Sequence, residues 1–131
     1  MITRLLGTYT GTGTWFEDSG RTCRYVISQT ITRTPDGFRF AFHHTFENDD
    51  PEVDAVFDMV WSTGPLFLLK AGGTELGRGY VLDGFCHYTV ELPGNLVEVS
   101  CLKTETGLKV WGSASRNKAG HAIAWTETLT G

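Results

Sequence analysis

The chain has 131 residues, of which 40% are hydrophobic and 20% charged, and its formal net charge at pH 7 is −4. This length and composition are typical of a single globular domain over residues 1–131 and exclude a wholly disordered chain. The basic residues are scattered and outnumbered by acidic ones, so the sequence predicts neither a nucleic-acid-binding surface nor a membrane-surface anchor. It also contains no apolar run long enough to cross a bilayer, and we expect a soluble protein.

The first residues and the cysteines favour a cytoplasmic protein. Residues 1–7 carry one positive charge and lack the apolar core of a secretory signal. The three cysteines, Cys23, Cys86 and Cys101, form no Cys-x-x-Cys pair, and an odd number cannot all pair in internal disulfides. Each lies among apolar neighbours in an apparent strand, so we expect small buried side chains rather than nucleophiles.

The composition and the turn signals indicate a β protein. Threonine and glycine are the commonest residues, and no block rich in strong helix formers is present. Turn signals such as 11–13 (Gly-Thr-Gly), 35–37 (Pro-Asp-Gly) and 93–95 (Pro-Gly-Asn) recur at short intervals, a spacing typical of consecutive antiparallel hairpins. The segments between the turns predict about ten strands, at residues 5–14, 23–34, 38–46, 53–61, 66–71, 75–82, 85–92, 96–105, 108–116 and 121–129.

Three of these segments alternate in a way that gathers aromatic side chains on one face, because residues two apart on a strand point to the same side. With no helix to cover a sheet, such faces must pack against one another. We therefore predict an antiparallel up-and-down β-barrel of about ten strands, with a two-sheet sandwich as the alternative. The aromatic faces consist of Phe38, Phe40, Phe42, His44 and Phe46, of Ala55, Phe57, Met59 and Trp61, and of His121, Ile123, Trp125 and Leu129.

A barrel of this size leaves space for one small ligand, and its predicted interior combines apolar walls with few polar groups. We expect His44 or His121 to orient the polar end of a ligand, while an ordinary filled core with satisfied histidines is the alternative. A strand shifted by one residue would instead bring His43 inside. The predicted walls are Phe40, Phe42, Phe57, Met59, Trp61, Ile123 and Trp125.

Residues 5–13, Leu-Leu-Gly-Thr-Tyr-Thr-Gly-Thr-Gly, resemble the opening Leu-Leu-Gly-Thr-Trp-x-Gly-x-Gly of nitrobindin-like proteins, with Tyr9 in place of the usual tryptophan. The segment is also similar to the first-strand Gly-x-Trp of lipocalins. The resemblance implies a calycin-type barrel, the class that includes lipocalins and fatty-acid-binding proteins, whose members mostly bind apolar small molecules. For nitrobindins it further implies haem bound through a histidine near the C-terminus, and His121 is the comparable position. Nitrobindin-like chains are usually longer, and no Pro-Leu pair precedes His121. The lipocalin pattern also implies that Arg116 covers Tyr9 or Trp15.

Four functions remain open from the sequence. The leading one is a binding protein for a hydrophobic or aromatic small molecule, with no catalytic residue, metal ligand or cofactor, because the familiar nucleophile, phosphate-loop and zinc motifs are absent. The alternatives are haem binding at His121, a small isomerase or cyclase that uses His44, and a packed barrel that works through its outer surface. An enzyme would require a buried carboxylate beside His44. The oligomeric state is not predicted.

Overall fold

The computed structural model describes residues 2–131, and this part of the chain forms ten strands preceded by a 3₁₀ helix, Thr3–Leu5. The strands match the predicted segments to within a few residues. Their bounds are β1 Gly7–Glu17, β2 Thr22–Thr34, β3 Gly37–Phe46, β4 Val53–Trp61, β5 Leu66–Ala71, β6 Thr74–Leu82, β7 Phe85–Leu92, β8 Asn95–Lys103, β9 Gly107–Ala114 and β10 Ile123–Thr130.

The strands form a closed barrel in which each pairs with the next along the chain and β1 pairs with β10. All of these pairings are antiparallel. The predicted up-and-down barrel is therefore confirmed, and the sandwich is not formed. Within residues 2–131, no helix has the length and apolarity needed to cross a membrane.

Two predicted details differ from the structure. Residues 11–13 lie inside β1 rather than at a turn. The glycines occur there because a side chain at position 11 or 13 would clash with a neighbouring strand. A side chain on Gly11 would strike the backbone carbonyl of Thr128 in β10. At the other end of the chain, β10 begins at Ile123 and not at His121, since residues 115–122 form a loop.

The predicted faces are oriented as the alternation indicates. Phe38, Phe40 and Met59 lie inside the barrel and are almost completely buried. His44 lies on the same face of β3, whereas the side chain of its neighbour His43 contacts Asp54 on the outer surface. The register of β3 therefore places His44 inside, as expected.

One end of the barrel is filled and the other is open. The filled end is covered by the 3₁₀ helix, from which Leu5 is fully buried, and the Tyr9 hydroxyl donates to the Leu5 carbonyl oxygen at 2.9 Å. Because loops alternate between the two ends in this topology, the β1–β2, β3–β4, β5–β6, β7–β8 and β9–β10 loops lie at the open end. The three cysteines are buried and free, as expected. The core of the filled end includes Leu5, Tyr9, Ile31, Phe38, Phe40, Met59, Phe67, Leu69, Leu108 and Leu129.

Candidate functional site

A chamber of about 280 Å³ lies inside the barrel, next to the open end. Its walls are almost entirely apolar and come from seven strands, because each strand contributes the inward-facing residues of its half near the open loops. The lining residues are Trp15, Tyr25, Phe42, His44, Phe46, Phe57, Tyr88, Val90, Leu92, Val97, Val99, Ile123 and Trp125.

Five of the nine residues predicted for the site line this chamber, namely Phe42, His44, Phe57, Ile123 and Trp125. Three others point inward but lie deeper, in the filled end of the barrel. Phe40 and Met59 belong to the closely packed core, and Trp61 packs against Phe38 with ring centroids 5.2 Å apart. Alternation along a strand determines the face of a side chain but not its height along the barrel axis, and this explains the difference.

The ninth predicted residue, His121, lies in the β9–β10 loop and does not line the chamber. Its Nδ1 is 2.7 Å from a carboxylate oxygen of Asp18, and its side chain is 42% exposed. An axial haem ligand would need an imidazole aimed into an apolar slot. The surroundings of His121 do not fit that role, because its ring is held by a carboxylate outside the chamber.

A polar cluster of Tyr25, His44 and Glu127 lies at the side of the chamber. The Tyr25 hydroxyl donates to Oε2 of Glu127 at 2.6 Å, and Nε2 of His44 is 3.7 Å from the same oxygen. The Tyr25 and His44 rings are stacked, with centroids 4.8 Å apart. Only 3% of Glu127 is exposed, so His44 and Tyr25 separate its carboxylate from the chamber.

Glu127 is not among the residues predicted for the site, although its position on β10 carries a signal for it. Position 127 shares the alternation of Ile123, Trp125 and Leu129 on β10, the face that was predicted to be internal. A single charged residue within an otherwise apolar face is the pattern that identifies Glu127.

Gly13 allows the cluster to form across a strand. In the sheet, Gly13 of β1 pairs with Tyr25 on one side and with Glu127 on the other. A Cβ atom at this position would lie 2.5 Å from the Tyr25 ring. The absence of a side chain therefore lets the phenol of β2 reach over β1 to the carboxylate of β10.

Burial shifts the protonation of the cluster. It raises the pKa of Glu127 to about 7, although the hydrogen bond from Tyr25 acts in the opposite direction. Burial, together with the nearby His43, lowers the pKa of His44 to about 4. Burial and the adjacent Glu127 also raise the pKa of Tyr25. At neutral pH the chamber therefore presents a neutral imidazole, supported by a phenol donor and a carboxyl group that titrates near pH 7.

A cation, Arg21, lies close to the chamber lining at its edge. The Arg21 guanidinium lies over the Trp15 ring, 5.3 Å from its centroid, and pairs with Glu17 at 3.2 Å. The Glu17 carboxylate also accepts a hydrogen bond from the Asn117 amide at 2.8 Å. Arg21 therefore takes the place over Trp15 that the lipocalin resemblance implied for Arg116.

Tyr9, the other ring considered for Arg116, is covered by Lys103, whose Nζ is 5.2 Å from the ring centroid. Among residues 2–131, no group of three or more His, Cys, Asp or Glu side chains is arranged to hold a metal ion. The candidate site is thus a largely apolar chamber with one buried polar cluster.

No protein-family model matches the chain, and no curated protein matches it. Solved structures do share its fold. The S-type phycobiliprotein lyase CPES from Guillardia theta is 10% identical, with a TM-score of 0.76 over 98% of this chain and 89% of that one. Rv2717c from M. tuberculosis is also 10% identical, with a TM-score of 0.61 over 98% of this chain and 93% of that one.

A protein of unknown function of the DUF3598 family from Nostoc punctiforme PCC 73102 is 15% identical, with a TM-score of 0.69. The alignment covers 99% of this chain but 48% of that protein, so the chain spans about half of its length. At these identities the similarity shows the fold alone. It agrees with the lipocalin-like barrel that the first-strand resemblance implied.

Proposed function

We propose that this barrel binds a compact aromatic or hydrophobic small molecule in its chamber. The observation that carries the proposal is the chamber of about 280 Å³ enclosed by aromatic and aliphatic side chains. Ligand pockets usually measure roughly 300–1,000 Å³, and a dry apolar cavity of about 150 Å³ binds benzene. The expected ligand therefore has one or two fused rings, with a polar group directed at His44.

A packed barrel that acts only through its outer surface would have a filled interior. The chamber therefore favours the binding function over that alternative. The phycobiliprotein lyase among the structures of the same fold supports testing a bilin as well. A bilin is much larger than a fused two-ring compound. Because the chamber lies at the lower end of the pocket range, we expect naphthalene to bind more tightly than a bilin.

The test is isothermal titration calorimetry with naphthalene and a variant that fills the chamber. Val90 lines the chamber, and Val90→Phe should weaken naphthalene binding at least about tenfold because the added ring occupies the ligand volume. Val26→Phe makes the same substitution at an outward position that is 57% exposed, and should leave binding unchanged. The absence of saturable naphthalene binding to the unmodified protein would disprove the proposal.

A second candidate function is proton transfer on a ligand held in the chamber. The observation that favours it is the buried carboxylate of Glu127, 3.7 Å from Nε2 of His44, which itself lines the chamber. A carboxylate hydrogen-bonded behind a neutral imidazole orients a general base, and shortening the 3.7 Å separation to about 3 Å would complete that arrangement. The buried carboxylate that an isomerase or cyclase would require is therefore present.

The probe for this function is 5-nitrobenzisoxazole, a compact two-ring compound that responds to a base in an apolar site. The imidazole takes the proton from the ring carbon, the C–H electron pair forms the third bond of a nitrile as the N–O bond breaks, and the product is a cyanonitrophenolate, so no other reactant is needed. If His44 acts as a base, the protein accelerates this reaction about 10²-fold or more, and His44→Phe loses the acceleration. His43→Ala, on the outer face, should retain it. A rate equal in the protein and in His44→Phe would exclude His44 as a base.

A further inference from the structure

We propose that the chamber selects neutral ligands whose hydroxyl or N–H group donates a hydrogen bond to His44, and that it rejects carboxylates. This inference rests on the proposed function, because it assumes that a small molecule occupies the chamber. It adds the chemical class of the ligand. Aromatic alcohols and N–H heteroaromatics belong to this class, whereas aromatic and fatty acids do not.

The chamber walls carry no positive charge. Neither lysine nor arginine is among the lining residues. The titratable groups at or directly behind the walls include Tyr25 of β2, His44 of β3, Cys86 and Tyr88 of β7, Cys101 of β8 and Glu127 of β10.

Each of these groups is neutral or negative near neutral pH. A carboxylate moved from water into an apolar site needs a positive partner or several N–H donors to offset its lost hydration. The inner part of the chamber offers neither, and an ionised Glu127 adds repulsion.

The polar cluster offers a ligand an acceptor and no free donor. Glu127 Oε2 lies 3.7 Å from Nε2 of His44, so the charge of an ionised Glu127 favours the tautomer with its proton on Nε2, and the lone pair on Nδ1 is then the acceptor. The Tyr25 hydroxyl already donates to Glu127 and has no second proton to offer. A ligand donor therefore finds an acceptor in His44, while an anionic ligand oxygen finds no free donor in the cluster.

Arg21 is the cation that stacks on a lining residue, Trp15, and it lies at the mouth. Its side chain is 61% exposed, and its charge is matched by the buried Glu17. A ligand acid that binds in the opposite direction, with its carboxylate outward, would use Arg21 and not His44. The variant Arg21→Met distinguishes this orientation from the proposed one.

The experiment compares 2-naphthol with 2-naphthoate by calorimetry, because the two probes share a ring system and differ in the head group. At about pH 8 we expect 2-naphthol to bind at least about tenfold more tightly, since like-charge repulsion and uncompensated desolvation oppose the acid. Lowering the pH to about 5.5 should reduce this preference as Glu127 gains a proton, whereas both probes keep their charge.

Three variants test the assigned roles. Glu127→Gln keeps an oxygen that accepts from Tyr25 and removes the negative charge, so it should reduce the preference for 2-naphthol at about pH 8. His44→Phe should weaken 2-naphthol binding more than naphthalene binding, because naphthalene makes no hydrogen bond. His43→Ala, on the outer surface, is the matched control and should change neither.

The outcomes separate the two proposals. Equal binding of 2-naphthoate and 2-naphthol at about pH 8 overturns the selection and leaves the proposed binding function intact. Binding of 2-naphthoate that is lost in Arg21→Met also overturns it, because the acid then faces the mouth. If 2-naphthol and naphthalene both fail to bind, the proposed function itself fails.

Discussion

Glu127 lies inside the barrel with its carboxylate hydrogen-bonded to Tyr25 and close to His44. An ionised carboxylate in such a position loses most of its hydration, and one phenol donor replaces only part of it. Burial accordingly raises the pKa of Glu127 to about 7. A side chain that costs stability when charged is consistent with a role in the chamber rather than in holding the barrel together.

This shift predicts how the stability of the fold depends on pH. The pKa of Glu127 is about 7 in the folded protein against an ordinary value of 4.5, so between these values the folded state holds a proton that the unfolded state has lost. The contribution of Glu127 to the free energy of unfolding therefore falls as the pH rises from about 4.5 through 7. The loss amounts to about 3 kcal/mol when complete.

We expect Glu127→Gln to be more stable than the unmodified protein by about 1–3 kcal/mol at pH 8, with the difference shrinking toward about pH 5. Urea denaturation at the two pH values measures it. Glu105→Gln, at an exposed position outside the cluster, is the control and should show no such trend. A stability difference that is the same at both pH values would contradict the assigned pKa shift.

Among the strands, β1 lies between the two that carry the hydrogen-bonded residues of the cluster. Its neighbours β2 and β10 provide Tyr25 and Glu127, and the hydrogen bond between these residues passes over Gly13. A methyl group at Gly13 would displace the Tyr25 ring. Gly13 therefore leaves the space that the Tyr25 ring needs to reach Glu127.

Gly13→Ala should lower the free energy of unfolding by about 1–3 kcal/mol, because it introduces a steric conflict and weakens the bond to a buried carboxylate. The same variant should weaken 2-naphthol binding, since the Tyr25 ring stacks on His44. Urea denaturation and calorimetry measure the two effects. Thr12→Ala, on the exposed side of the same strand, is the control. If the two variants behaved alike, the space that Gly13 leaves for the Tyr25 ring would be unimportant.

The strands themselves were largely predictable, because alternation and turn signals are local properties of the sequence. Gly11 and Gly13 show the limit of that approach, since glycine marks both turns and places where another group comes close. Their role became visible only with the positions of Thr128 and Tyr25, which lie far away in the sequence. His121 shows a related limit, because the start of β10 depends on how the preceding loop is folded.

For the whole molecule, the closed barrel follows from ten consecutive strands and no covering helix, and the sequence predicted it. The chamber could not be predicted in the same way. Whether a part of the interior is empty or filled depends on which side chains lie at the same height along the barrel axis. Phe40 and Phe42 are two residues apart on one face, yet the first belongs to the filled core and the second lines the chamber. The proximity of His44 to Glu127 likewise depends on the registers of three successive strand pairs, from β3 through β2 and β1 to β10.

The pairing of β1 with β10 also has a consequence for the synthesis of the protein. β10 supplies Glu127 and two of the chamber walls, Ile123 and Trp125. During translation the first nine strands emerge with an unpaired edge on β1 and with aromatic faces still open to water, a state that invites wrong pairing. The chamber is therefore complete only once β10 has left the ribosome and paired with both β9 and β1.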